Sequence, residues 1–132
     1  MIYLVDDDID DLFMLQEAFE KGNFNGHIAS AKNGADFIDK LHQSVLPELI
    51  VLDLNMPLKN GFEVLTDLKS SKDLSAIPVV ILTASNNKQD EVRCKELGCK
   101  LFLRKPSTLD EYDAIALIIL DFLETLKLNN GN

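Results

Sequence analysis

An α/β fold on a parallel sheet is predicted by three observations. Five short apolar runs alternate with five longer amphipathic stretches. The middle run, Leu49-Ile50-Val51-Leu52, has no polar alternation, as a strand covered on both faces requires. The length, 132 residues at 46% hydrophobic and 27% charged, suits one domain with one real core. Strict strand–helix alternation places helices on both faces of the sheet and makes the crossovers right-handed.

Each element has its own signal. Ile2-Tyr3-Leu4-Val5 is a β-rich run that stops at Asp6-Asp7-Asp8. Leu12 to Lys21 carries Leu12, Leu15, Ala18 and Phe19 at helix spacing, and Gly22-Asn23 and Asn25-Gly26 close it. His27 to Ala31 is the second strand. Asn33-Gly34 leads into a helix holding Phe37, Ile38 and Leu41. After the Leu49–Leu52 strand, Phe62 to Lys69 reads as a helix with Phe62, Leu65 and Leu68 on one side. Pro78 to Leu82 is a strand with Pro at its first residue, where strands tolerate it. Asn87 to Leu97 is a more polar helix ended by Gly98. Lys100 to Leu103 is the fifth strand. Ser107 to Leu126 is the last helix, capped by Ser107 or Thr108, with Asp110-Glu111 in its first turn. The domain is expected to span 1–128, with 129–132 a frayed tail.

Composition excludes several functions. Twenty-two acidic residues oppose thirteen basic ones, for a net charge of −9. Phosphate contacts need Lys and Arg, so neither nucleic acid nor an anionic membrane is an expected partner. Cys94 and Cys99 with His27 and His42 make neither a disulfide framework nor a zinc site. The two cysteines read as small buried hydrophobes. Met1 runs directly into Ile2 without a basic leader, and the longest apolar run, Ala114 to Leu120, is too short to span a bilayer. A soluble, cytoplasmic protein is expected.

Ligands of open α/β sheets bind beyond the carboxyl ends of the strands. There the sequence places Asp6, Asp7 and Asp8 after strand one, Asp53 after strand three, Thr83-Ala84-Ser85 after strand four and Arg104-Lys105-Pro106 after strand five. Clustered carboxylates repel one another unless a cation sits among them, and oxygen-only ligands select a hard ion such as Mg²⁺. A carboxylate beside Mg²⁺, with Lys105 and Thr83 near, is equipped for phosphoryl transfer, the carboxylate acting as nucleophile. Each residue also has a plainer reading. Asp8, Asp10 and Asp11 complement a helix dipole, Asp6 or Asp7 can cap, Thr83 can be a structural hydroxyl and Lys105 a solvated lysine. Asp53 is harder to explain away, since a charge beside a core is costly.

In this order and placement the motifs resemble a response-regulator receiver domain of two-component signalling. They are Leu4-Val5-Asp6-Asp7-Asp8, Leu52-Asp53-Leu54-Asn55-Met56-Pro57, Asn60-Gly61, Leu82-Thr83-Ala84 and Lys105-Pro106. The resemblance covers essentially the whole chain. It implies a flavodoxin-like (βα)5 fold with strand order 2-1-3-4-5 and makes Asp53 the phosphoacceptor. Asp7, Asp53 and the backbone carbonyl of Asn55 would bind Mg²⁺, with Asp6 acting through water. Thr83 and Lys105 would contact the phosphoryl group, and Lys105-Pro106 is expected to be cis. Phe102 falls at the family's aromatic switch position, where with Thr83 it would couple phosphorylation to the face of the fourth helix, fifth strand and last helix.

Asn60 stands where Asp is usual, and Cys99 where Ala is usual. Asn55 and Ser85 occupy two variable positions thought to tune phosphoryl lifetime. The Asp10-Asp11 entry to the first helix resembles single-domain regulators paired with phytochrome-type kinases.

The expected function is therefore a stand-alone receiver. It takes a phosphoryl group from a histidine kinase or histidine phosphotransfer protein and signals to a downstream protein target by a population shift. It is not expected to be a turnover enzyme, though it would catalyse its own phosphorylation and dephosphorylation. One rival is a pseudo-receiver, opposed by the intact Asp6, Asp7, Asp53, Thr83 and Lys105. A phosphohydrolase is opposed by Asn55, where that class carries a second Asp. A flavin-binding flavodoxin is opposed by the lack of a Gly/Ser/Thr-rich loop after strand one. On the last helix, Ile115, Ile119, Phe122, Leu123 and Leu126 share the face expected to dock. Ile118 lies at its margin, Leu120 further round, and Leu117 among acidic residues opposite. That outer surface is either scattered apolar surface or a homodimer interface.

Overall fold

Side chains alternate across a strand, so each strand of a doubly covered sheet feeds two cores at once. The computed structural model, which describes residues 1–43 and 45–130, shows this division. Its elements are β1 (Ile2–Val5), α1 (Ile9–Lys21), β2 (Ile28–Ala31), α2 (Gly34–Leu41), β3 (Leu49–Leu52), α3 (Gly61–Lys69), a 3₁₀ turn (Leu74–Ala76), β4 (Val79–Thr83), α4 (Lys88–Glu96), β5 (Leu101–Arg104) and α5 (Leu109–Asn130). The five strands are parallel in the order β2-β1-β3-β4-β5, with Ile2 beside both Ile28 and Leu49. This is the flavodoxin-like topology expected.

Ile2, Leu4, Leu49, Val51, Val80 and Leu82 face α1 and α5, where they meet Leu15, Phe19, Ala116 and Ile119. Tyr3, Val5, Ile50, Leu52, Val79 and Ile81 face the other way, onto Phe37, Leu41, Val64, Leu65 and Cys94 of α2, α3 and α4. β1 and β3 are buried along their whole length, and their carboxyl ends deliver Asp6 and Asp53 side by side.

Several boundaries differ from expectation for local reasons. α1 begins at Ile9 rather than Leu12, because Asp8 caps it by accepting the N–H groups of Asp10 and Asp11. Thr108, not Ser107, caps α5, its hydroxyl accepting the Glu111 N–H. α5 continues through Asn130, so the first two residues of the expected tail are helical, while Gly131 and Asn132 lie outside the described residues. The face that α5 buries is Tyr112, Ala116, Ile119 and Leu123; Ile115, Phe122 and Leu126 are only partly buried, and Ile118 is exposed. No cis peptide bond occurs among the described residues, so Lys105-Pro106, expected cis, is trans, the form an X–Pro bond favours locally. Gly98 fulfils its role: at φ +100° it takes the left-handed position after α4.

Candidate functional site

Beyond the strand ends, Asp6, Asp7 and Asp53 each present a carboxylate oxygen within 4.8 Å of the others. Asp6 and Asp53 are buried, 8% and 4% exposed, while Asp7 opens to solvent. Main-chain bonds place the two buried ones: the Asp6 N–H donates to Ala31 and the Asp53 N–H to Val5, continuing the ladder one step past the strands. Asp53 Oδ1 accepts the Leu54 N–H at 2.8 Å, and Asp6 Oδ1 accepts the Asp8 N–H at 3.0 Å.

Lys105 is the counter-charge. The N–H of Lys105 donates to the Thr83 carbonyl, which pins the loop after β5 to the end of β4. Its ammonium lies 2.8 Å from Asp6 Oδ2, 2.8 Å from Asp11 Oδ2 and 3.3 Å from Asp53 Oδ2. Burial works against the Lys105 charge, but hydrogen bonds to Asp11 and Asp6 and the charge of Asp53 override it and raise the ammonium pKa above its ordinary value. Burial pushes Asp6 up to about 6, with the neighbouring Asp53 charge adding to the rise and Lys105 opposing it.

An open cleft of about 570 Å³ lies over the cluster, lined by Asp7, Asp8, Ile9, Asp53, Asn55, Ala84 and Lys105. Thr83 is fully buried at the end of β4, where its hydroxyl accepts the Ser85 N–H at 3.3 Å, and Ala84 rather than Thr83 lines the cleft. Ser85 is itself held, its hydroxyl donating to Asp90 at 2.6 Å. Phe102 is half-buried against the core under α3 and α4.

The loop after Asp53 is set by close backbone packing. The Gly61 N–H donates to the Leu54 carbonyl, and a Cβ on Gly61 would stand 2.5 Å from the Asp53 carbonyl oxygen. Asn60, the departure from Asp, caps α3 in a reciprocal box with Glu63, a task Asn performs as well as Asp.

Two residues of the site were not singled out from the sequence. Asp11, read there as a helix-dipole acid, pairs with Lys105, and Tyr112 donates its hydroxyl to Asp11 Oδ1 at 2.7 Å. Burial opposes the Asp11 charge, but Lys105 and Tyr112 together hold its carboxyl below the usual range. Burial raises the Tyr112 phenol, as does its bond to Asp11. Cys94 and Cys99 are buried and far from this chemistry in character: burial pushes Cys94 up to about 12 and raises Cys99.

The chain that carries this site is similar to known proteins along most of its length. Residues 2–116 match the family model of the response regulator receiver domain. Response regulator Rcp1 of Synechocystis is 35% identical over 97% of this chain and 92% of its own length. Protein PilH of Pseudomonas aeruginosa is 34% identical over 80% of the chain and 84% of its own. By contrast, the chain spans 58% of the length of ycf29 from Pyropia yezoensis, at 37% identity. Among solved structures, the phosphorylated cyanobacterial phytochrome response regulator RcpA superposes with a TM-score of 0.88 at 31% identity, covering 95% of this chain and 94% of that one. The Mn²⁺-bound form of Rcp1 superposes at 0.85 with 34% identity, covering 92% and 91%. No helix among the described residues is long and apolar enough to cross a membrane. The chain belongs to the response regulator receiver domain family of two-component signalling.

Proposed function

We propose that this chain accepts a phosphoryl group on Asp53 from a histidine kinase or histidine phosphotransfer protein and signals to a protein target by changing its binding surface. The observation that carries the reading is Asp53 itself: a buried carboxylate at the end of the central strand, open to a cleft and contacted by a lysine.

Asp53 Oδ1 is engaged by the Leu54 N–H, which leaves Oδ2 on the Lys105 side as the attacking oxygen. Its lone pair forms the new P–O bond while the P–N bond of the donor phosphohistidine breaks, and the imidazole leaves with the bonding pair. The Lys105 ammonium compensates charge on the transferred oxygens, and the Thr83 hydroxyl, buried at the end of β4, would turn toward the cleft to donate to one of them. The carboxylates of Asp6, Asp7 and Asp53 and the backbone carbonyl of Asn55 would hold Mg²⁺. Three close oxygen donors with no His or Cys suit a hard divalent ion. When bound there, Mg²⁺ supplies charge neutralisation at the phosphoryl oxygens.

The chain is thus a phosphoacceptor that promotes its own modification and its own dephosphorylation, not a turnover enzyme, and it works in the cytoplasm. Thr83 and Phe102 link the site to the α4–β5–α5 face, where phosphorylation shifts a pre-existing equilibrium. Exposed Leu117 and Ile118 on α5 offer a surface for a homodimer.

Incubation with acetyl phosphate and Mg²⁺, read by intact mass, tests the reading. The wild-type chain gains one phosphoryl group and Asp53→Asn gains none; a wild-type chain that binds the metal and gains nothing is a pseudo-receiver. Sedimentation with and without the donor tests the dimer, and an unchanged monomer at high concentration excludes it.

A further inference from the structure

We infer that Asp11, oriented by Tyr112, is a positioning residue that anchors the Lys105 ammonium beside Asp53 for phosphoryl transfer. This role rests on the phosphoacceptor reading above and extends it to a side chain that touches neither the metal cluster nor Asp53.

An ammonium has three hydrogens, and three carboxylates surround that of Lys105. Two contacts are short, to Asp6 and Asp11 at 2.8 Å, and the third, to Asp53, is longer at 3.3 Å. The three carboxylates are not equivalent. Asp6 and Asp53 belong with Asp7 to the cluster that suits a divalent ion, so a cation there competes with Lys105 for their oxygens. Asp53 Oδ2 is also the oxygen that phosphoryl transfer consumes. Asp11 lies outside the cluster, and both of its oxygens are committed: Oδ2 to Lys105 and Oδ1 to the Tyr112 hydroxyl at 2.7 Å. Of the three, only its charge stays with the lysine through the whole reaction.

The anchor is built from two helices that pack on each other. Asp11 sits in the first turn of α1, and Tyr112, 5% exposed, in the first turn of α5. Beneath them lies a void of about 10 Å³ whose inner wall is apolar, with Leu4, Leu15, Val51 and Leu82, so the ammonium would lose its hydrogen bonds by retracting toward the core. A lysine on a flexible four-carbon stem has many other places to put its charge once a cation occupies Asp6. Asp11 removes that freedom. The longest of the three contacts is then the one redirected, from Asp53 Oδ2 to an oxygen of the incoming phosphoryl group.

The test is the rate of phosphoryl gain from acetyl phosphate with Mg²⁺, by intact mass against time, on the full chain. Asp11→Asn, which keeps the shape and removes the charge, is expected to slow modification about tenfold. Tyr112→Phe, which keeps Asp11 but frees its second oxygen, should slow it roughly threefold and provides a second, milder variant should Asp11→Asn fold poorly. In a Lys105→Ala background, Asp11→Asn should change the rate less than twofold, because its effect runs through the lysine; a merely structural role would slow both backgrounds alike. An Asp11→Asn chain modified at the wild-type rate, or one that slows the Lys105→Ala chain by the same factor, overturns the anchor alone. A wild-type chain that never gains a phosphoryl group overturns the phosphoacceptor reading, and the anchor with it.

Discussion

The two faces of the sheet hold the same site by different means. On the α1/α5 face the grip is made of side chains: Asp11 of α1 takes Lys105, and Tyr112 of α5 takes Asp11. On the α2/α3/α4 face it is made largely of backbone. Gly61 lies against the Asp53 carbonyl, and the Gly34 N–H donates to Lys59 in the same loop, where a Cβ on Gly34 would stand 2.4 Å from the Lys59 oxygen. Side-chain charge can be redistributed when the charge in the pocket changes, whereas packed backbone can only stay or break. One face therefore sets where Asp53 is, and the other sets what charge surrounds it.

The contrast can be broken hardest at Gly61. Gly61→Ala forces a methyl group into the Asp53 carbonyl and the Leu54 Cα, both backbone atoms that cannot swing aside. A loss of about 3 kcal/mol is expected in urea unfolding, together with lost metal binding. A variant of wild-type stability would show that this loop yields, and that the distinction between the faces is wrong.

A smaller effect sharpens the charge side. Asp6, pushed up to about 6, is largely protonated at pH 5 and ionised at pH 7. Divalent-ion affinity, titrated by calorimetry, should fall about tenfold from pH 7 to pH 5 if Asp6 is needed as carboxylate. The sign for folding is the reverse. The metal-free folded state binds this proton more tightly than the unfolded chain, so Asp6 contributes stability that is full below the ordinary Asp pKa and is lost as pH rises through about 6. An ion affinity flat across this range would remove Asp6 from the ion's neighbourhood.

The smallest effect lies in the backbone side again. Leu58, 83% exposed, has φ +69° in a turn closed by the Lys59 N–H to the Pro57 carbonyl at 2.7 Å. A leucine there is strained, and glycine is not. Leu58→Gly should raise stability by about 0.5–1 kcal/mol by thermal melting, the relief exceeding the extra chain entropy. A lower melting temperature would mean that Leu58 is held by contacts rather than merely tolerated.

Most of the fold was legible because its signals are local. Four-residue apolar runs ending in Asp, and glycine after a polar helix, need no knowledge of the rest of the chain. The cluster of Asp6, Asp7, Asp53 and Lys105 was legible because topology sends every strand end to the same edge. Asp11 was not, for a physical reason: an acid in a first turn is already satisfied by the helix dipole, so nothing in its neighbourhood asks for a partner 94 residues away. Tyr112 and Ala116 were missed on α5 because an apolar count gives little weight to a phenol or a single methyl group, yet both are buried. The start of α1 was hidden for a related reason, its first turn being polar except for exposed Ile9.

One helix stands apart from this division. α4 buries a single side chain, Cys94; the Ser85 hydroxyl ties its first turn to the loop after β4 through Asp90, and its other ties are peripheral: Arg93 lies over the Phe62 ring at 4.1 Å, and Lys69 reaches the Glu96 carbonyl. A helix seated on one small thiol can tilt or slide without emptying a hole in the interior, because almost nothing of it is interlocked there. Large buried side chains would have made each small displacement a packing defect; Cys94 makes it a change of angle.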